Sequence, residues 1–144
     1  MSEAKHLEGL QSKAAKQKVS DSPAGDFMSK NPLLIADKTK IYSAIQALAA
    51  HKVGSAPVVN TQNKIVGVVS EHDLLLQTAT KDVTDPIQYT KEPITVTPET
   101  PLKDVLILLY TKKVRRIPVI ALDRTVLGIV TRMDVLSKLI GKDK

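Results

Sequence analysis

Two short patterns place a hydroxyl and a carboxylate at the same spacing: Ser70-Glu71-His72-Asp73 and Thr131-Arg132-Met133-Asp134. Each follows an apolar run and opens a stretch with helical spacing. Such a spacing has two chemical uses. In a capping box, the hydroxyl accepts a free backbone N–H of the helix start, and the acid three residues on accepts one in return. In a binding site, the helix start turns outward. Its free N–H groups and partial positive charge attract phosphate, and the carboxylate accepts both hydrogen bonds of a ribose diol. A second feature is the pair Arg115-Arg116. It reads either as solvated charge near a helix C-terminus or as a bidentate grip on phosphate. Other chemistry finds little support. His6, His51 and His72 are scattered without metal-ligand spacing. His72 beside Ser70 and Asp73 reads as a surface residue, and neither a Ser/His/Asp arrangement nor a P-loop is visible. The expectation is a chain with no catalytic residue, no metal and no required cofactor.

Composition narrows the class further. The chain has 144 residues, enough for one compact domain or two small repeats. There are no cysteines, which excludes disulfides, thiolate catalysis and cysteine-held metals, and fits a reducing compartment. No apolar run approaches the ~20 residues of a membrane helix, and Met1–Leu10 lacks the apolar block of a secretory signal. The expected location is cytoplasmic. Lys plus Arg total 21 against 15 acids, a formal charge of +6. Residues 1–25 contribute +1 of that, from four lysines and three acids. The only aromatics are Phe27, Tyr42, Tyr89 and Tyr110, so no stacking platform for single-stranded nucleic acid is visible.

These motifs sit in an internal repeat. Pro57 and Pro118, Gly67 and Gly128, Val53 and Val114, Thr39 and Thr100, and Pro32 and Pro93 are all 61 residues apart, as are the two motifs themselves. The chain divides into an arm at 1–25, expected to be flexible and basic, a first copy at 26–79, and a second at 80–144 ending in a helix. Each copy reads as strand, helix, strand, strand, helix. The first strands are Leu33–Ile35 and Ile94–Val96. Apolar stripes follow at Ile41, Ala44, Ile45, Leu48 and Ala49, and at Leu102, Val105, Leu106 and Leu109. Thr39 and Thr100 are placed as N-caps, with Pro101 at the first helical position and Gly54 as the stop of the first helix. Ile107 and Leu108 widen the second stripe and predict burial on more than one side. Paired strands are expected at Ala56–Val59 with Ile65–Val69, and at Ile117–Ile120 with Val126–Val130. Their unbroken apolar runs predict cover on both faces. Closing helices follow at 71–76 and 132–140. One copy alone buries too little surface, so the two are expected to share a core.

In this register the chain resembles a tandem of cystathionine-β-synthase (CBS) domains, a Bateman module, over about residues 26–140. Four stretches carry the resemblance: Met28–Pro32, Val53–Val59 with its partner Val114–Ile120, Gly67–Asp73, and Gly128–Asp134. It implies an α+β fold of two β-α-β-β-α repeats packed sheet to sheet with pseudo-two-fold symmetry. It also implies adenosine ligands between the repeats. Carried over residue by residue, one site combines Val68, Ser70 and Asp73 with Tyr89, Ile94, Val114, Arg115 and Arg116. The other combines Ile129, Thr131 and Asp134 with Met28, Leu33, Val53, Gly54 and Ser55. The apolar members would sandwich a base, and each is equally a candidate core residue. Copy one has Gly54 and Ser55 where copy two has the arginine pair, so the two clefts are expected to be unequal.

The implied function is regulatory: AMP, ADP or ATP binding that signals by a change of conformation or of oligomeric state, with a homodimer through the helices as partner. S-adenosylmethionine fits the ribose argument equally. Two competing readings are a structural or oligomerisation module, in which both motifs act only as caps, and a nucleic-acid binder using the basic arm with Arg115 and Arg116.

Overall fold

The computed structural model describes residues 19–141. In chain order the elements are α1 (Ala24–Phe27), β1 (Ile35–Ala36), α2 (Ile41–His51), β2 (Ser55–Val59), β3 (Ile65–Ser70), α3 (Glu71–Thr80), β4 (Thr90–Lys91), α4 (Leu102–Thr111), β5 (Arg116–Ile120), β6 (Val126–Thr131) and α5 (Arg132–Leu139). The fold is the α+β pair of repeats implied by the 61-residue offset. β2 and β3 pair antiparallel with Pro57 opposite Val68; β5 and β6 pair antiparallel with Pro118 opposite Ile129. β1 adds parallel to β2, and Val96 makes the corresponding parallel bridge to Val119. The backbone repeats whether or not the side chains do. Asn31 and Glu92, Lys52 and Lys113, and Asn63 and Arg124 are 61 apart in pairs, and all have positive φ.

Each sheet is finished by the opening segment of the other repeat. β4 lies in the opening segment of the second repeat, yet it pairs with β3 of the first, Val68 opposite Thr90. Ser29 lies in the opening segment of the first repeat, yet it exchanges backbone hydrogen bonds with Ile129 of β6, at 2.8 and 2.9 Å. The residues around these crossings follow them. Ile41 and Tyr42 N–H at the start of α2 donate to Asp85 and Val83 carbonyls. Leu102 N–H at the start of α4 donates to the Ser22 carbonyl. Gln77, buried on α3, grips the first crossing with both ends of its amide: Nε2 donates to the Gln88 carbonyl at 2.9 Å, and Oε1 accepts from Gln88 N–H at 2.7 Å.

The core accordingly differs from the expected shared one. Buried side chains form two clusters. One contains Ile35, Ile41, Leu48, Val58, Val69 and Leu74, with Ile87 from the crossing. The other contains Leu102, Val105, Leu109, Ile117, Val119, Val130 and Val135, with Ala24 and Phe27 from the crossing. Each repeat is too small to close its own core, and the reciprocal exchange supplies the missing cover. Residues 19–25, expected to belong to a flexible arm, are docked on the second repeat. Residues 1–18 lie outside those described, but Ala24 and Gly25 N–H donate to the Thr100 and Pro98 carbonyls, and Val19 packs against the second core.

Several local expectations change for identifiable reasons. Thr39 does not cap α2. The N-cap is Lys40, without a side-chain bond, because the helix start is satisfied by the crossing carbonyls. Thr100 Oγ1 accepts from Thr97 N–H at 3.1 Å, so it closes a turn, and Pro101 is the N-cap of α4. Lys52, not Gly54, ends α2 in the left-handed conformation. β2 is buried at Ala56–Val59, but β3 alternates buried and half-buried residues. Ile107 is 57% exposed, so the widened stripe on α4 is not buried within this chain.

Gly67 and Gly128 are the close-approach points of the two crossings. A Cβ on Gly67 would strike the Thr90 carbonyl oxygen and the Tyr89 ring. One on Gly128 would lie 2.7 Å from both Met28 Sδ and the Ser29 carbonyl oxygen. Because the obstacle is backbone, Gly128→Ala should lower stability by about 1–3 kcal/mol in urea unfolding. Gly54→Ala, whose nearest neighbour is Glu71 Oε1 at 3.4 Å, is the contrasting variant and should lose much less. Equal losses in the two variants would contradict this account of the crossings.

Candidate functional site

The ends of β2, β3, β5 and β6 bring the two helix starts together. Ser55 lies opposite Ser70, and Arg116 lies opposite Thr131, at the last register positions of the two hairpins. Glu71 N–H donates to the Gly54 carbonyl at 2.8 Å, and Arg132 N–H donates to the Arg115 carbonyl at 3.3 Å. These bonds hold each Val-x-x turn beside the helix that follows its hairpin. The result is a groove of about 680 Å3 across the pseudo-two-fold axis. Its walls take equivalent pieces from both repeats: Lys52 to Ser55 and Lys113 to Arg116, then Ser70 to His72 and Thr131 to Met133, with Val68 at the floor. A cavity of this size suits a small-molecule ligand.

This geometry redistributes the candidate residues. Val53, Gly54 and Ser55 share one groove with Val68, Ser70, Val114, Arg115, Arg116 and Thr131, so the two sets separated in the sequence meet here. Leu33 and Ile129 line a smaller adjoining cavity of about 140 Å3 with Pro57, Val53, Ser55 and Arg116. The remaining candidates sit elsewhere. Met28 packs over Gly128 and Tyr89 over Gly67, where they seal the crossings. Ile94 packs against the second core. Asp73 and Asp134 lie behind the hydroxyls that line the groove.

Both acids complete capping boxes. Asp73 N–H donates to Ser70 Oγ at 3.1 Å, and Ser70 N–H donates to Asp73 Oδ2 at 3.3 Å. In the second repeat Asp134 N–H donates to Thr131 Oγ1 at 3.1 Å, and Thr131 N–H donates to Asp134 Oδ2 at 2.8 Å. Beyond that the two acids differ. Asp134 is 3% exposed, and the Ser29 hydroxyl reaches it from the crossing segment, 3.2 Å from each carboxylate oxygen. Asp73 is half-buried, and no corresponding bond from Thr90 reaches it. The second acid therefore ties the crossing to α5 in addition to capping it.

Sequence reasoning missed Ser29, Lys52, Lys113 and Arg132. The offset of 61 was the available signal: Ser29 matches Thr90, Lys52 matches Lys113, and Glu71 matches Arg132. Groups whose ionisation is shifted lie away from the groove: Lys103 on α4, raised by Asp21, and two carboxylates in turns. Asp82 is held below the usual carboxylate range by Thr84, and Asp123 by the Thr125 amide first and then by Lys64. Among the described residues no cluster of three or more His, Asp or Glu is placed to hold a metal, and no helix is long and apolar enough to cross a membrane.

Known proteins are similar to this chain in sequence and fold. The model of the CBS domain family matches residues 24–78 and again 81–141. MJ1225, an uncharacterized protein of Methanocaldococcus jannaschii, is 32% identical over 126 residues. That match covers 85% of this chain but 44% of the relative, so the chain spans less than half its length. CBSX2 of Arabidopsis thaliana, solved in complex with AMP, superposes with a TM-score of 0.71 at 34% identity, over 82% of this chain and 96% of that one. The CBS domain pair of MJ0100, solved with 5'-methylthioadenosine and S-adenosyl-L-methionine, superposes with a TM-score of 0.71 at 28% identity, over 83% of this chain and 95% of that one.

The unequal acids predict unequal costs. Asp73→Ala removes a half-buried cap and should cost about 1 kcal/mol. Asp134→Ala removes a buried cap together with the carboxylate that receives the Ser29 hydroxyl, and should cost about 2–3 kcal/mol. Urea unfolding at neutral pH reads both, and the reverse order would contradict the tying role of Asp134.

Proposed function

The chain belongs to the CBS-domain family as a tandem pair, and from that premise we propose that it is a regulatory module whose central groove binds an adenosine nucleotide. The observation that carries this reading is the convergence of two helix starts, each led by a hydroxyl, with Arg115 and Arg116 in one open groove. Ser70 and Thr131 donate to phosphate, and the arginines add bidentate contacts. Val53, Val68 and Val114 offer apolar surface to a base. Asp73 is the acid for the ribose, since its cap bond to Ser70 N–H is long at 3.3 Å and leaves Oδ1 for a diol. Solved relatives that carry AMP, or 5'-methylthioadenosine with S-adenosyl-L-methionine, support an adenosine ligand.

The module has no chemistry of its own in this reading. It signals because the ligand binds one arrangement of the repeats better than another, and its leverage is limited to that difference in affinity. A homodimer is the proposed frame. α3 leaves Leu75 and Leu76 exposed, and α4 and α5 leave Ile107, Tyr110, Met133 and Leu136 exposed. The pseudo-two-fold axis gives both repeats such a face, so a second copy can cover both at once. One specific observation favours a purely structural module instead: both carboxylates already cap their own helices.

Thermal unfolding with AMP, ADP, ATP and S-adenosylmethionine separates the two, because a ligand specific to the folded state raises its melting temperature. At least one adenosine compound should do so. In isothermal titration Arg116→Ala and Asp73→Ala should each weaken binding about tenfold, near 1.4 kcal/mol. Unchanged affinity in both variants removes the placement of the ligand against Arg116 and Asp73, and the lack of a shift with every compound removes the nucleotide reading. Light scattering on the eluting protein should give twice the 15.7 kDa chain mass, and Ile107→Glu should reduce it to one.

A further inference from the structure

The groove carries more positive charge than a monophosphate needs. Lys52, Lys113, Arg115, Arg116 and Arg132 all line it, with Glu71 as the one lining acid, a formal sum of 5 − 1 = +4. Among the described residues none of the five cations is in an ion pair: the pairs there are Lys64–Asp123 and Lys103–Asp21, both away from the groove. Their convergence is built by the fold. Lys52 and Lys113 hold equivalent left-handed positions, φ 54° in each, at the helix ends on the two sides of the axis. Arg132 stands at the first position of α5, fixed by its N–H bond to Arg115.

Like charges gathered in a partly enclosed groove repel one another, and a counter-charge of matching size relieves that repulsion. A nucleoside monophosphate brings about −2, and each further phosphoryl group adds to it. S-adenosylmethionine brings a sulfonium cation and is opposed by the same field. We infer that the groove selects a chain of phosphates, so that a nucleoside polyphosphate is preferred over AMP and over a sulfonium nucleoside. Lys113 and Arg132 are the specificity-determining residues, since they extend the cationic wall beyond the Arg115–Arg116 pair. This inference rests on the nucleotide reading above.

The test uses the full chain in isothermal titration with AMP, ATP and S-adenosylmethionine at two salt concentrations. ATP should bind about tenfold tighter than AMP or more, and its affinity should fall more steeply with salt. Lys113→Asn keeps a residue that tolerates the left-handed backbone, and Arg132→Gln keeps a good helix former. Each should cut ATP affinity about three- to tenfold and AMP affinity by a clearly smaller factor, with unchanged circular dichroism confirming the fold. AMP binding as tight as ATP, or equal losses for both ligands in these variants, overturns the selectivity and leaves the nucleotide reading standing. Failure of all three ligands, and of ADP, overturns both.

Discussion

The structure depends on the reciprocal exchange of the two crossing segments. The first repeat offers three strands and the second a two-stranded hairpin flanked by the Val96 bridge, each with two helices carrying too little apolar surface to close over them. The missing strand and the missing cover arrive from the stretch of chain that introduces the other repeat. Thr90 lies along Val68 in one direction and Ser29 along Ile129 in the other. The exchange requires the backbones to touch, and Gly67 and Gly128 are where they do. Two units stapled in this way cannot separate without exposing an edge of each sheet and a wall of each core. Unpaired sheet edges and exposed apolar surface are both unfavourable in water.

The same exchange makes the groove. Because the hairpins face each other across the axis, the ends of β3 and β6 and the helices they feed are brought to one place. Their hydroxyls do double work there. Ser70 and Thr131 cap the helices through Asp73 and Asp134 N–H, and they also stand at the groove wall. A ligand drawn to these helix starts therefore competes with bonds the protein already makes. Its net affinity would be the surplus over those bonds, and under the proposed reading that competition would couple occupancy to helix position.

Symmetry in the backbone coexists with asymmetry in the chemistry. Equivalent positions carry Gly54 and Arg115, Ser55 and Arg116, and Glu71 and Arg132. One side is therefore far more cationic than the other. The acids diverge in the opposite sense, with Asp134 buried and tied to Ser29 while Asp73 remains half-exposed. A ligand with a sugar at one end and phosphates at the other would match such polarity under the proposed reading, its sugar toward Asp73 and its phosphates toward the arginines of the opposite repeat.

Much of this was determined by the sequence alone. The offset of 61, the strand pairs around Pro57 and Pro118, and the caps at Ser70 and Thr131 follow from short-range pattern, because hairpin register and capping are local matters. The fold class followed from their repetition. Which repeat each crossing segment serves was decided only in three dimensions. Nothing local in Met28–Ser29 or Tyr89–Thr90 says that either pairs with a strand some hundred or some twenty residues away. That choice moved the caps of α2 and α4 from Thr39 and Thr100 to carbonyls of the crossings. It also turned Met28 and Tyr89 from candidate ligand contacts into seals over glycines, and buried Asp134 under Ser29. The single basic groove was equally invisible, since Lys52 and Lys113 meet Arg132 only when two hairpins distant in the chain close on one axis.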